Sequence, residues 1–371
     1  MKIILVVFGH SPNPPPYINM SIIYWFHMPA FFILSGFLFK PIYDWKKFIS
    51  TTRRRVITLF VPYITFLIID TYYYKTNHKA FAFLQEPDEL IWIIFGGRFS
   101  SGIYWFITCL FFAQLLFQLL FILFKSNRTR FILIFSAYIL AHIESIYLIK
   151  SSPREFFVPW NIDVSLIALT YLAFGYYGKK LITNNKIAIG SFLISILLLT
   201  AYKFEFFDFT LNMKSVYYHD LLLDLMLPII FTLAVFGISR WIKNALLLKT
   251  LANFGTLSLP IMYMHTTLNK IIQPYFEYGS YVYTFIGVLV PILIAVIFFE
   301  RFTITQLLFL GKYKYHQIKW IIKVSSLSKK LKLFFNISVI HTIELKSLKW
   351  NRKLWFSRFL EVSISSIQFF H

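Results

Sequence analysis

The 371-residue chain is strongly apolar: hydrophobic residues make up 58% of it, charged residues only 14%, and its mean hydropathy is +0.64. A soluble domain of this size cannot bury that much apolar surface, so a soluble globular protein is excluded. The formal net charge of +21 is carried by clusters between apolar windows, which indicates membrane topology rather than nucleic-acid binding. The single cysteine, Cys109, excludes an intrachain disulfide, and no histidine pair has the spacing of a metal site.

Apolar windows follow one another along most of the chain, and each full window is close to the length needed to cross a bilayer as a helix. They predict an all-α, polytopic integral membrane bundle of about ten transmembrane helices, the first of which is incomplete. The predicted spans are Ile3 to Gly9, Ile22 to Phe39, Val56 to Tyr74, Ile103 to Phe124, Phe131 to Ile149, Asn161 to Gly178, Ile187 to Tyr202, Leu221 to Ser239, Ser258 to Ile272 and Tyr281 to Phe299.

Basic residues are concentrated in alternate connectors, at residues 40–55, 125–130, 179–186 and 240–249. Lys and Arg near the ends of spans favour the cytoplasm. This alternation predicts a cytoplasmic amino terminus in a bacterial inner (plasma) membrane. The connector between the first two spans then faces outward.

Two histidines lie near this first connector. His10 ends the first predicted span, and His27 lies a few residues inside the second. Only eleven residues, 11–21, join the two spans, so the histidines are expected to be neighbours. Pro29 follows closely, lacks an amide proton and disfavours helical geometry before it, which predicts a kink just after His27.

Each histidine has two interpretations. An ionisable residue inside a span is a functional candidate by default, and a neutral imidazole at His10 suits a general base near neutral pH. Alternatively, His10 merely ends a span and His27 reaches the interface. Ser35 and Gly36 in the same span are small, which favours close approach of another helix.

The motifs "IILVVFGHS", "FHMPAFFILSGFLF", "RRRVITLFVPYI", "YWFITCLFF" and "LANFGTLSLPIMYMH" resemble, in this order, those of the acyltransferase-3 family of membrane O-acyltransferases. The resemblance is strongest to its fucose 4-O-acetylase-like branch and covers about residues 2–312.

The resemblance implies transfer of an acetyl or similar acyl group from cytoplasmic acyl-CoA to a hydroxyl of a surface polysaccharide or its lipid-linked precursor. By the same analogy His10 is catalytic, with His27 beside it to orient the acceptor or donate to the oxyanion. Arg53, Arg54 and Arg55 correspond to basic residues at the cytoplasmic mouth. Guanidinium groups suit the phosphates of a nucleotide donor, although topology alone also places basic residues there.

Two further side chains are candidates for substrate binding. His265 in "MYMHTT" either joins the catalytic cavity or is satisfied by a neighbouring helix. Trp105 in "IYWFI" either stacks on a sugar or adenine, or belongs to an interfacial aromatic belt. Acyl-CoA is expected to act as a substrate, with no tightly bound cofactor and no metal.

Four acidic residues also fall in or near predicted spans, and some are expected to pair with Lys or Arg inside the bundle. They are Asp70, Glu144, Asp163 and Asp224.

Both ends of the chain depart from the pattern of its middle. The first apolar run, Ile3 to Gly9, is too short to cross a bilayer, and the basic residue that the family has eleven positions before the catalytic histidine would precede Met1. These features predict an amino-terminal truncation. Residues 1–311 are expected to form the transmembrane domain, and residues 312–371 a basic tail that is either a surface segment or read-through.

The pattern of spans also suits other functions. A transporter or flippase for polysaccharide intermediates is compatible with about ten spans, but transporters tend to show internal repeats and paired broken helices. An inactive truncated family member or a non-catalytic membrane subunit is compatible with the short first span.

Overall fold

A computed structural model describes residues 2–12, 14–15, 19–76, 103–150 and 158–312. Helices make up most of these ranges, and the only strand-like pairing within them is a single bridge between Asn212 and Tyr217. Most of the basic tail predicted after residue 311 lies outside the described residues.

The helices follow the predicted windows in order. They are α1 (Lys2–Gly9), α2 (Met20–Phe37), α3 (Trp45–Thr76), α4 (Tyr104–Leu123), α5 (Asn127–Lys150), α6 (Val164–Tyr177), α7 (Lys179–Thr183), α8 (Asn185–Lys203), α9 (Leu223–Trp241), α10 (Ala245–Thr256), α11 (Ser258–Ile272), α12 (Ser280–Ile294) and α13 (Thr303–Leu310).

Seven helices of the described part are long and apolar enough to cross a membrane: α2, α3, α4, α5, α8, α9 and α12, the last extended to Phe299 by a π-helical turn. An eighth crossing forms if α10 and α11, which meet at 74°, are one broken span. The all-α polytopic prediction is confirmed, and within the described residues seven or eight of the roughly ten predicted crossings are long enough to span a membrane. Two predicted spans are short helices, α6 of 14 residues and α11 of 15 residues, and α1 has only 8 residues.

Asparagine caps define where three of these helices begin. The side chains of Asn19, Asn184 and Asn244 each accept a hydrogen bond from a backbone amide in the first turn of α2, α8 and α10. These bonds satisfy amides that have no partner inside the helix.

The centre of the bundle is the contact between α2 and α6. A Cβ atom on Gly36 would lie 1.8 Å from the carbonyl oxygen of Leu172, and one on Gly175 would lie 2.0 Å from that of Ile33. Only glycine permits this approach of the two backbones. The predicted role of Gly36 is confirmed, and the adjacent Ser35 hydroxyl accepts a 2.6 Å hydrogen bond from Gln114 on α4.

The outer surface is apolar where it would meet lipid. Large exposed side chains cover α5, α8 and α12, among them Phe131, Phe135, Leu193, Leu197 and Phe285. In water such a surface would drive aggregation, whereas in a bilayer it is solvated by acyl chains.

The two ends of the bundle carry different residues. The basic connectors meet at one end, where Lys179 contacts the carbonyl of Phe39 and Arg240 contacts that of Ile182. We call this the basic end. The opposite end, the His10 end, holds His10, the start of α2 and the connector between α8 and α9, joined by bonds such as Trp25 Nε1 to the carbonyl of Phe209 at 2.9 Å.

Candidate active site

A cavity of about 910 Å³ opens between the helices at the His10 end. Its walls come from α1, α2, α3, α4, α11 and residues 211–217 of the connector between α8 and α9. This volume lies in the usual range of about 300–1,000 Å³ for small-molecule sites. Segments far apart in the sequence therefore enclose one ligand-sized chamber.

Helical periodicity explains how two of the walls form. Ile3, Val6 and His10 line the cavity from one face of α1 and its carboxyl end. On α2 the lining residues are Tyr24, His27, Met28 and Phe31, which repeat with the spacing of one helical face. Each stripe covers about two helical turns, or roughly 10 Å along the helix axis at 1.5 Å per residue.

His10 lines the cavity, and one of its two ring nitrogens already makes a hydrogen bond. Its Nδ1 atom lies 2.8 Å from the carbonyl oxygen of Val6, one turn earlier. A carbonyl only accepts, so Nδ1 carries the proton and donates it. Nε2 of the neutral ring therefore keeps its lone pair, which is the form that can take a proton from a hydroxyl.

His27 lines the same cavity, which confirms the predicted proximity of the two histidines. Its Nδ1 lies 2.8 Å from the carbonyl of Ile23, and its ring meets that of Tyr24 edge to face at 5.0 Å. The Tyr24 hydroxyl donates to the carbonyl of Gly9 at 2.9 Å and so holds α2 against the end of α1. α2 continues through Pro29 as one helix, and the kink stays a prediction.

His265 lies directly behind His10 and does not itself line the cavity. The two ring centroids are 5.1 Å apart, and His265 is completely buried. Its Nδ1 lies 2.9 Å from the carbonyl of Ile261, and its Nε2 has no hydrogen-bond partner within the described part of the chain. The expected association of His265 with the cavity is thus indirect, through the His10 ring.

Trp105 lies in the first turn of α4 and contributes to the cavity wall. Only 5% of its surface is exposed, so it is not part of an exposed aromatic belt. The ring faces the chamber together with Ile103, Phe106 and Ile107. It is therefore available for stacking on a ligand.

The three consecutive arginines do not line the cavity. Arg53 and Arg54 are exposed on α3, whereas Arg55 is half-buried. Arg55 precedes the cavity-lining Leu59 by one helical turn, so the two share a helix face about 6 Å apart along the axis. The predicted donor-binding role of the arginine cluster therefore stays a prediction, and of the three arginines Arg55 is the nearest along α3 to a residue of the cavity wall.

Several important residues had no signal in the sequence. Lys214 and the surrounding residues 211–217 line the cavity although they belong to a connector. Asn269 donates from Nδ2 to the carbonyls of His265 and Tyr283, at 2.7 and 3.2 Å. The second of these contacts joins α11 to α12, and neither periodicity nor motif spacing reveals it.

Comparison with known proteins gives one match. The acyltransferase-3 family model, described as an acyltransferase domain, matches residues 2–300. No curated protein and no solved structure matches the chain. The match includes every residue of the cavity wall and His265 behind it. The chain therefore belongs to the acyltransferase-3 family and is a membrane acyltransferase.

Proposed function

We propose that the protein is an O-acyltransferase that moves an acetyl or similar acyl group from cytoplasmic acyl-CoA to a hydroxyl of a cell-surface polysaccharide or its lipid-linked precursor. The observation that carries the proposal is the His10 ring, whose Nδ1 is occupied by Val6 and whose Nε2 is left to act as a base beside a ligand-sized cavity. The resemblance to fucose 4-O-acetylase-like proteins supports a glycan hydroxyl as acceptor.

The reaction follows from this arrangement. Nε2 of His10 accepts the proton of the acceptor hydroxyl as the oxygen attacks the thioester carbonyl. The tetrahedral intermediate collapses, the carbon–sulfur bond breaks, and the imidazolium returns its proton to the leaving thiolate of coenzyme A. The products are an ester and free coenzyme A, and the enzyme regains its neutral base.

His27 and His265 have different roles in this proposal. With Nδ1 bound to Ile23, neutral His27 offers only an acceptor at Nε2, which suits it to orient a second hydroxyl of the sugar rather than to donate to the oxyanion. His265 packs its ring against His10 and restricts the orientation of the base. Trp105 provides a stacking surface for the sugar.

The donor is proposed to enter from the basic end. Leu59, Leu110 and Leu259 form an apolar part of the cavity wall, which suits the pantetheine arm and acyl group. Arg55 lies one turn beyond Leu59, with Arg53 and Arg54 exposed nearby, where guanidinium groups can bind the phosphates of coenzyme A. The clustering of basic connectors at this end supports a cytoplasmic amino terminus in a bacterial plasma membrane.

Inverted membrane vesicles containing the full chain test the proposal. Acetyl-CoA labelled in its acetyl group is supplied outside, with labelled succinyl-CoA in parallel, and label in extracted glycan is measured. We expect His10→Ala to lower the transfer rate by about 10²- to 10⁴-fold, the usual contribution of a general base, with an unchanged unfolding midpoint. Undiminished transfer by His10→Ala, or glycan movement across the membrane without label, contradicts the proposal.

A further inference from the structure

Residues 212–217 of the connector between α8 and α9, which we call the 212–217 turn, lie where the chamber opens to solvent. All of them line the cavity, and two of them, Ser215 and Tyr217, are also exposed. Val216 and Tyr218, on either side of Tyr217, are completely buried. Residues that both line a cavity and meet solvent mark an opening, so the chamber has an opening at this turn.

The backbone of the 212–217 turn is closed by its own hydrogen bonds. Asn212 and Tyr217 exchange two backbone hydrogen bonds, of 2.9 Å and 3.0 Å. The Oδ1 atom of Asn212 also accepts a hydrogen bond from the amide of Ser215 at 3.2 Å. These three bonds fix the points from which the side chains of Asn212, Ser215 and Tyr217 leave the backbone.

The bundle holds the 212–217 turn in place as well. Ser145 on α5 donates to the carbonyl of Val216 at 2.6 Å and accepts from the amide of Tyr218 at 3.0 Å. Val216 is buried with φ at 55°, a conformation that a β-branched residue rarely adopts. Backbone strain of this kind persists where the surrounding structure enforces it, and it is concentrated at sites that bind ligands. The strain therefore supports a binding role for the turn.

Two polar side chains of the turn are placed to contact a ligand. Because Oδ1 of Asn212 is bound to the amide of Ser215, the Nδ2 group with its two N–H donors lies on the other side of the side-chain amide. Within the part of the chain that the structure describes, neither this Nδ2 group nor the Ser215 hydroxyl makes a hydrogen bond. Both residues line the cavity, so they offer hydrogen bonds to the hydroxyl groups of a ligand at the opening.

Tyr217 adds an aromatic face to these polar groups. Although it lines the cavity, 38% of its surface is exposed. Its ring meets that of the exposed His219 edge to face, with the centroids 5.1 Å apart. An exposed aromatic ring beside an amide and a hydroxyl has the chemistry of a sugar site, because the apolar C–H face of a sugar stacks on the ring while its hydroxyls bond to the polar groups.

We propose that the 212–217 turn binds a second sugar of the acceptor, next to the sugar that is acylated at His10, so that the substrate class is a glycan of at least two linked sugars. The inference rests on the proposed function and adds the length of the acceptor. Trp105 provides a stacking surface inside the chamber, and Tyr217 provides one at its opening. The cavity volume of about 910 Å³ is near the upper end of the usual range, which suits a chain that enters from solvent.

The full chain in lipid nanodiscs tests this inference, because both ends of the bundle are then accessible. The acceptors are the intact membrane glycan and its fragments, released by partial hydrolysis and separated into single sugars, disaccharides and longer chains. Acetyl-CoA or succinyl-CoA labelled in its acyl group is the donor. We expect the KM for disaccharides to be about 10- to 100-fold lower than that for single sugars, since a stacking contact and one or two hydrogen bonds are added.

Variants assign this length preference to the turn. Tyr217→Ala should raise the KM for disaccharides about 10-fold and leave kcat and the KM for single sugars unchanged, because only the second sugar contacts Tyr217. Tyr217→Trp should keep the low KM for disaccharides. The matched control is Tyr275→Ala, which removes an exposed tyrosine of the connector between α11 and α12 that does not line the cavity. It should behave like the unaltered protein.

The outcomes separate this inference from the proposed function. Equal KM values for single sugars and disaccharides with the unaltered protein overturn the inference, whatever the folding of the variants. It is also overturned if Tyr217→Ala changes both KM values equally, if Tyr217→Ala and Tyr275→Ala behave alike, or if the intact glycan is labelled but none of its fragments is. The proposed function stands in each of these cases. Absence of label from the intact glycan and from every fragment overturns the proposed function itself.

Discussion

The His10 end and the basic end of the bundle are built on different principles. At the His10 end, side chains from distant segments bond to one another: Ser11 donates to Ser280 at 2.6 Å, and Asp70 accepts from Tyr104 at 2.6 Å and from Thr267 at 2.8 Å. At the basic end, long cationic side chains bond mainly to backbone carbonyls. Arg130, for example, donates to the carbonyls of Phe124 and Lys125.

This difference matches what the proposed function asks of each end. In that proposal a base and two substrates must meet within a fraction of an ångström, so the His10 end needs directional contacts. The basic end is proposed to set the topology and attract a polyanionic donor, which depends mainly on positive charge, with a defined contact expected only at Arg55. Substitutions at the His10 end should therefore damage stability and turnover, whereas those at the basic end should change donor affinity.

The largest expected effect comes from the buried pair of His142 and Asp224. Nε2 of His142 lies 3.2 Å from Oδ2 of Asp224, and the same oxygen accepts from the amide of Asp220 at 2.8 Å. Asp224→Ala should lower the free energy of unfolding by about 3–5 kcal/mol, because a buried polar partner loses its bonds. The measurement is thermal or denaturant unfolding in detergent.

The exposed Asp208, on the connector before α9, is the matched control. Asp208→Ala should change the free energy of unfolding by no more than about 0.5 kcal/mol. If the two variants unfold alike, the pair does not hold α5 against α9, and the contrast between the ends loses its main support.

A smaller loss of stability and activity is expected from replacing Gly287, which packs against His265. A Cβ atom on Gly287 of α12 would lie 2.7 Å from Val7, 2.9 Å from Asn269 and 3.2 Å from Cβ of His265. Gly287→Ala should cost about 1–3 kcal/mol of stability. It should also lower kcat by up to about 100-fold, because the pair of His10 and His265 shifts.

Gly190 of α8 provides the control for this glycine, since a Cβ atom there would meet nothing within 4 Å. Gly190→Ala should leave kcat unchanged and stabilise the helix by about 0.5–1 kcal/mol. A kcat of Gly287→Ala equal to that of Gly190→Ala would show that close packing behind His10 does not matter for catalysis.

The smallest effect concerns the basic end. Arg55 is half-buried and shares a helix face with Leu59 of the cavity wall, whereas Arg53 is exposed. Arg55→Gln should raise the KM for acyl-CoA about 10-fold, and Arg53→Gln no more than about 3-fold, because exposed ion pairs contribute little. Initial rates against acyl-CoA concentration decide this. Equal effects would indicate a diffuse charge instead of a defined phosphate site.

Local features of the sequence predicted much of the fold. Each full apolar window coincides with a helix, because crossing a bilayer demands a fixed number of apolar residues. The proximity of His10 and His27 followed from a short connector, and the close packing at Gly36 followed from its missing side chain. These are constraints between residues near one another in the chain.

The acidic residues show what this reasoning could not specify. Some of the four were expected to pair with Lys or Arg, without any indication of which. Asp70 accepts hydrogen bonds from the hydroxyls of Tyr104 and Thr267, and Asp224 contacts His142. Hydroxyl and imidazole donors are common in an aromatic-rich chain and carry no distinctive spacing. Which of these donors meets a given carboxylate depends on how the helices are rotated about their axes. The order of residues in the chain does not reveal that rotation.

The sequence alone determined that the chain spans a membrane and that two imidazoles meet near one end, because helix length and connector length are local quantities. Tertiary structure alone decided that His265 lies behind His10, that α10 and α11 bend apart, and that the 212–217 turn brings Lys214 into the chamber. Each of these depends on contacts between residues far apart in the chain. Such contacts are determined by how all the helices of the bundle pack together.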